Sequence, residues 1–261
     1  MPRVITIAVV VGIVAGLLVG VFHYVFTVPV IERAIALEEE RTSAEAKAKG
    51  KEEEKPLVSL GVQAAFTIIG FGLLGIVVGL IVAAGFTLLH WVVPEWPPIS
   101  LAMVIGPLGF WMLSLFPFIK YPLVPPGAGE QSTLLFRQGF QILFFVLSTV
   151  GVVGLLLGLR RINTLATPVS QQRWLYGLAV LAYGGFAAVI FLALPGNPDP
   201  VSVPVDLLAL FRALAMISHF LFWILTAAGV ALAITWYERA AQRGRGRGSP
   251  RDVARGMPAT R

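Results

Sequence analysis

Long apolar runs alternate with shorter polar segments along the chain, at about residues 4–27, 61–89, 99–119, 136–159, 175–194 and 207–236. A helix rising 1.5 Å per residue needs about 20 apolar residues to cross a hydrocarbon layer about 30 Å thick. The pattern therefore predicts an all-α fold, a polytopic membrane bundle of about six transmembrane helices with both termini on one side. Gly12, Gly16 and Gly20 recur every four residues in the first run, Gly75 and Gly79 in the second, and Gly154 and Gly158 in the fourth. Small residues at this spacing give a smooth helix face that a neighbour approaches closely. Pro107, in the middle of the third run, removes a backbone donor and predicts a kink there. The first run is longer than a signal-peptide core and no small-x-small cleavage site follows it, so a retained span is expected.

The polar segments differ in kind. Residues 31–56 hold eight glutamates and six basic residues among alanines. The spacing of Glu45 and Lys49 predicts a helical extension, which Gly50 and Pro56 interrupt. Such a run is a solvated face, or a place that collects cations or docks a partner. The loop from Phe118 to Arg137 begins with Lys120 and Tyr121, an interfacial pair, and continues through Pro122, Pro125 and Pro126, which stiffen it. Gly127 and Gly129 allow a reversal, and Glu130 with Ser132 or Thr133 can cap the helix that carries Arg137. This is either a well-made connector or a binding loop. The LPGNPDPVSVP stretch before the last run is a second stiff turn. Residues 1–238 thus form one membrane domain, and 239–261 a disordered basic tail with seven arginines that can rest on anionic lipid.

Composition fixes the class. Hydrophobic residues make up 57% and charged residues 13% of the 261-residue chain, the balance of an integral membrane protein. There is no cysteine, which excludes disulfides, thiolate metal sites and thioether-linked haem, so no covalently bound cofactor is expected. The net charge of +6 comes mainly from the tail and speaks for orientation and lipid contact rather than nucleic acid. With six spans, the side holding both termini carries eleven Lys and Arg and the other side's loops carry eight. The positive-inside rule then makes the protein a multi-pass protein of the cell membrane with cytoplasmic termini.

Titratable residues inside the runs are the functional candidates, because a charge in the membrane faces protein or water. Arg212 and His219, seven residues apart, share a helical stripe; Arg137, Gln141 and Ser148 share another that should look inward. His23 lies near the far end of the first run, where an interfacial histidine would bond a neighbouring carbonyl. In this topology His23, Glu32, the Lys120–Arg137 loop, Asp199, Asp206 and Arg212 converge on the outer face. Arg137 and Arg212 could equally pair internally with Asp206 and Glu130. No phosphate-cradling G-x-x-x-x-G-K-[ST] loop and no hydrolytic Ser, His and Asp arrangement is present, so an enzyme is not expected.

Three segments carry a family likeness: Val28, Pro29, Ile31 and Ala34 followed by Glu38; Lys120, Tyr121, Pro122, Pro125, Pro126, Gly129, Thr133 and Arg137; and Val203, Pro204, Asp206, Leu207, Leu208 and Arg212. With the number and spacing of the spans, they make the chain resemble the CbtA family of predicted cobalt transporter subunits. The resemblance implies a membrane subunit for uptake of cobalt(II) or a related divalent ion, working with a small histidine-bearing membrane partner in the lipid bilayer. His23, Glu32, Glu130, Asp206 and His219 are then the candidate ion ligands, and His90 falls on the opposite side. Val124, Glu130 and Ser132 depart from the family pattern and leave the loop one carboxylate short. No His-x-x-His or Glu-x-x-His pair is present, so a partner would have to supply further ligands. The alternative is a non-transporting membrane scaffold or assembly subunit whose proline-rich loops dock another subunit.

Overall fold

A computed structural model of the chain describes residues 2–49, 60–125, 131–197 and 203–246. Helices are the regular elements throughout these residues. The first apolar run and the charged segment as far as Lys49 form one continuous rod: α1 (Pro2–Phe22) passes through a π-helical turn (His23–Thr27) into α2 (Val28–Lys49). The change from apolar to charged composition does not break it, because Ala, Glu, Lys and Arg are all strong helix formers. After α3 (Leu60–Val92) comes a third crossing in three pieces, α4 (Pro98–Phe110), a second π-helical turn (Trp111–Leu115) and α5 (Phe116–Lys120). A short 3-10 turn (Gln131–Thr133) leads into α6 (Leu134–Asn163), followed by α7 (Val169–Ala193) and α8 (Val205–Gly246).

Among the described residues, six helical stretches are long and apolar enough to cross a membrane: Arg3–Glu40, Phe66–Val92, Pro98–Lys120, Leu134–Asn163, Val169–Ala193 and Val205–Arg243. Two expectations need correction. Helix α8 continues to Gly246, so the basic segment begins as helix; residues 247–261 lie outside the described residues. Pro107 sits inside a regular α4, and the irregularity falls instead at Trp111–Leu115, just ahead of Pro117. Pro29 follows the first π-helical turn by the same two-residue offset. A proline cannot donate to the carbonyl four residues before it and crowds it sterically. Widening the preceding turn relieves both constraints, which accounts for the placement of both π-helical turns.

Helices α1 and α3 form the closest pair. Gly12 lies against Gly75 and Gly79, Gly16 against Phe71 and Gly72, and a methyl group at Gly12 would run into the Gly75 carbonyl oxygen. Gly154 and Gly158, expected to pack likewise, have nothing within 4 Å where a side chain would project. In α6 it is Gly151 that is pressed, by the rings of Phe186 and Tyr183. Helix α8 is central, packing on α4 through Ala102, Ala227 and Ala231 and through Trp223 against Gly109, on α1 through Gly229 against Val11, and on α3 through Phe222 against Phe71. Polar handles of buried aromatics find partners: Trp223 Nε1 donates to Ser114 Oγ at 3.1 Å, and Trp111 Nε1 to the Tyr183 hydroxyl at 2.6 Å. Helix α7 is peripheral, burying Ile190 while Trp174, Leu181 and Leu192 face outward as lipid-contacting residues do.

Candidate functional site

The direction of the helices puts residues 121–125, 131–133, 194–197 and 203–204 on one side of the bundle, the loop side, and the first residues of α1 and the end of α8 with residues 93–97 and 164–168 on the other, the terminal side. On the loop side, Tyr121 turns inward. It is 7% exposed, meets Phe144 edge-on with ring centroids 5.7 Å apart, and donates its hydroxyl to the Pro195 carbonyl at 2.8 Å. Burial pushes its phenol above the usual tyrosine range. Lys120 stays at the rim with Nζ 5.0 Å from the Phe191 ring centroid. The two residues therefore split, the lysine remaining interfacial and the tyrosine tying one loop to the other.

The same loop holds α8. Arg212 donates from Nε to the Leu123 carbonyl at 3.0 Å. Beside this bond Val30 and Ala34 of α2 pack on Leu207 and Phe211 of α8, so Glu32, half-buried, and Asp206, exposed, occupy one level. Asp206 sits in the first turn of α8, where a carboxylate complements the helix dipole. A pocket of about 190 Å³ opens between the loop and α6, lined by Pro122, Val124, Arg137, Gln141 and Asn197. Arg137 donates from Nε to Thr133 Oγ1 at 3.2 Å. One bond of Arg137 thus runs to a hydroxyl and one of Arg212 to a backbone carbonyl. Pro126, Gly129, Glu130 and Asp199 lie outside the described residues.

Deeper in the bundle, the π-helical turn of the first rod brings His23 to α8. His23 Nε2 lies 2.8 Å from Ser218 Oγ, and Ser218 in turn donates to the Ala215 carbonyl at 2.8 Å. With the serine proton committed, His23 Nε2–H is the donor of that bond. The partner is a hydroxyl on another span, not the neighbouring carbonyl expected for an interfacial histidine. Phe71 stacks on the imidazole with centroids 4.3 Å apart. His219 is the next residue of α8 after Ser218. Its Nδ1 is buried without a hydrogen-bond partner among the described residues, as are Thr27 Oγ1 and Thr226 Oγ1.

Depth follows from the helix rise. Arg3 lies over the Tyr237 ring at the terminal side, 5.4 Å from its centroid. His23 is twenty residues beyond Arg3 and Ser218 nineteen before Tyr237, about 30 Å in each case. The histidine pair therefore sits inside the bundle near the loop-side boundary of the hydrocarbon layer. Arg212, His219 and Thr226 follow at seven-residue steps, one polar stripe running from the loop end of α8 inward. Arg212 and His219 stand out in the sequence as a charged and a titratable residue within an apolar run. Thr226 and Thr27 do not, although the stripe's period points to Thr226; nothing in the sequence marks Ser218 as the partner of His23. His90 lies on the terminal side. No group of three or more His, Cys, Asp and Glu that could hold a metal occurs among the described residues.

The sequence model of the probable cobalt transporter subunit family (CbtA) matches residues 1–236. The chain belongs to this family. No curated protein and no solved structure matches it. The family's description, a probable cobalt transporter subunit, and six helices long and apolar enough to cross a membrane make it a multi-pass membrane protein, and a subunit implies others beside it.

Proposed function

We propose that this chain is the membrane subunit through which cobalt(II) is taken up, that its termini are cytoplasmic, and that the ion is handed from the loop side to His23 and His219. The observation that carries the reading is the buried Nδ1 of His219, without a hydrogen-bond partner among the described residues, on the residue that follows Ser218, to which His23 bonds. An orphaned buried polar atom costs about 1–3 kcal/mol, so one retained a single residue from the Ser218–His23 bond calls for a reason. Neutral imidazole nitrogens are good ligands for cobalt(II). Two of them leave the coordination sphere incomplete, which suits a cargo that must depart again. A small histidine-bearing partner would load the ion at the loop side, where Glu32 and Asp206 lie.

Arg212 gives this route a control point. It stands two turns from His219, about 10 Å along the helix. At an effective dielectric of about 20, a guanidinium there raises the energy of a divalent ion at His219 by about 3 kcal/mol. Its bond to Leu123 ties that barrier to the position of the proline-rich loop. Movement of the loop would then change access to the histidines.

The test is cobalt uptake in cells lacking their own importers, with the chain alone, with its partner, and with His219→Ala, His23→Ala and both. Uptake should need the partner and fall at least tenfold in the double variant at equal membrane insertion. Undiminished uptake by the double variant would remove the histidines from the route. Absence of uptake by inserted wild-type chain with its partner would leave the membrane scaffold in its place.

A further inference from the structure

The terminal side carries a groove of about 860 Å³, walled by Ile5 of α1 and by Leu80, Ala84 and Leu88 of α3, with His90 and Arg160 at its mouth. We propose that this groove is a binding site for one phospholipid with an anionic headgroup, its acyl chains along the α1–α3 wall and its phosphate at Arg160 and His90. The inference does not depend on cobalt transport.

The size lies within the roughly 300–1,000 Å³ of small-molecule sites. The wall is apolar and laterally open: Ile5 and Leu80 are exposed, and Trp91 is 49% exposed, on the surface that the bilayer covers. Arg160 is held at the mouth rather than left to reach into water. Its guanidinium carbon lies 3.5 Å from the Trp91 ring centroid, and Nη1 donates to the Trp91 carbonyl. That bond uses one of five guanidinium donors, and the planar fork matches a phosphate. The rim itself is fastened, since Asn163 donates to the Val92 carbonyl at 3.5 Å and receives the Tyr176 hydroxyl at 2.5 Å. Charge on this side also suits an anion. Arg3, Arg161, Arg173, Arg239 and Arg243 share it with Glu95 and Glu238.

The experiment is native mass spectrometry of the detergent-solubilised full chain titrated with phosphatidylglycerol and with phosphatidylcholine of the same acyl chains. One arginine at a membrane surface corresponds to a preference of about fivefold. Wild type should retain a single phosphatidylglycerol with about that preference. Arg160→Gln should bring the preference near unity. Ala84→Trp, which fills the groove without touching Arg160, should weaken retention of both lipids, and Arg173→Gln should leave it unchanged. Equal retention of the two lipids by wild type, or an unchanged preference in Arg160→Gln, would overturn the proposal. So would displacement of the lipid by an equal concentration of inorganic phosphate, which would reduce the site to an anion contact.

Discussion

Gly12 and Gly75 show how far a single methyl group reaches in this bundle. Each backbone stands where the other's side chain would go, and a Cβ on either meets a carbonyl oxygen that belongs to a helix and cannot retreat. Gly12→Ala and Gly75→Ala should each destabilise the protein by about 1–3 kcal/mol, the usual range for overpacking. Gly154→Ala projects into open space and should be neutral or stabilising by up to about 1 kcal/mol through helix propensity alone. Unfolding titrations in mixed micelles measure all three, and a Gly154→Ala loss as large as that of Gly12→Ala would refute the distinction. The two glycine stripes have the same four-residue spacing in the sequence. What separates them is the neighbour: α3 lies flush on Gly12 and Gly16, whereas α7 meets α6 at Gly151 and stands off from Gly154 and Gly158. One chain's periodicity shows that a close approach is possible and not which helix makes it.

At the scale of elements, the loop side is held by bonds between segments far apart in the chain. The Tyr121 hydroxyl on the Pro195 carbonyl joins the two loops, and Arg212 on Leu123 joins the first of them to α8. Burial raises the Tyr121 phenol above its ordinary value of about 10. The fold thus favours the neutral form, and the stability it contributes is fully present below pH 10 and lost as the pH rises through the higher folded value. In absorbance titration at 295 nm the wild type should show a late phenolate step that Tyr121→Phe removes. The same variant, lacking the bond to Pro195, should lose about 1 kcal/mol at neutral pH. A late step that persists in Tyr121→Phe would assign it to another tyrosine. The sequence made these loops legible as stiff and rich in unusual residues, and the six spans legible from hydropathy. It did not show that Tyr121 leaves the interface, because that depends on where the Pro195 turn comes to rest. The prolines were equally visible, yet Pro107 drew the kink that Pro117 and Pro29 accompany. Contact with α8 does not make that choice, since α4, which carries Pro107, packs on α8 as both π-helical turns do. His23 was legible as a candidate and its partner was not, for Ser218 is 195 residues away.

For the whole molecule, the placement of both ends on one side makes orientation a single question. Eleven Lys and Arg on the terminal side against eight in the loop-side segments favour a cytoplasmic terminal side, and six of those eight lie among the glutamates of residues 31–56. In that orientation the histidine pair and the 190 Å³ pocket sit at the outer end of the bundle, as uptake requires, and the Arg160 groove faces the cytoplasmic leaflet, where anionic lipid lies. The chain has no cysteine, so single replacements report without background. Gly196→Cys, in the exposed turn after α7, should react with a membrane-impermeant maleimide in intact cells. Ala166→Cys, in the exposed turn between α6 and α7, should react only after the membrane is permeabilised. The reverse pattern would invert the molecule and with it the direction proposed for the ion. Labelling of both residues from one side would mean that α7 does not cross the bilayer. That outcome is the sharper test, since α7 is the span that buries the least of itself in the bundle, packing mainly on α6.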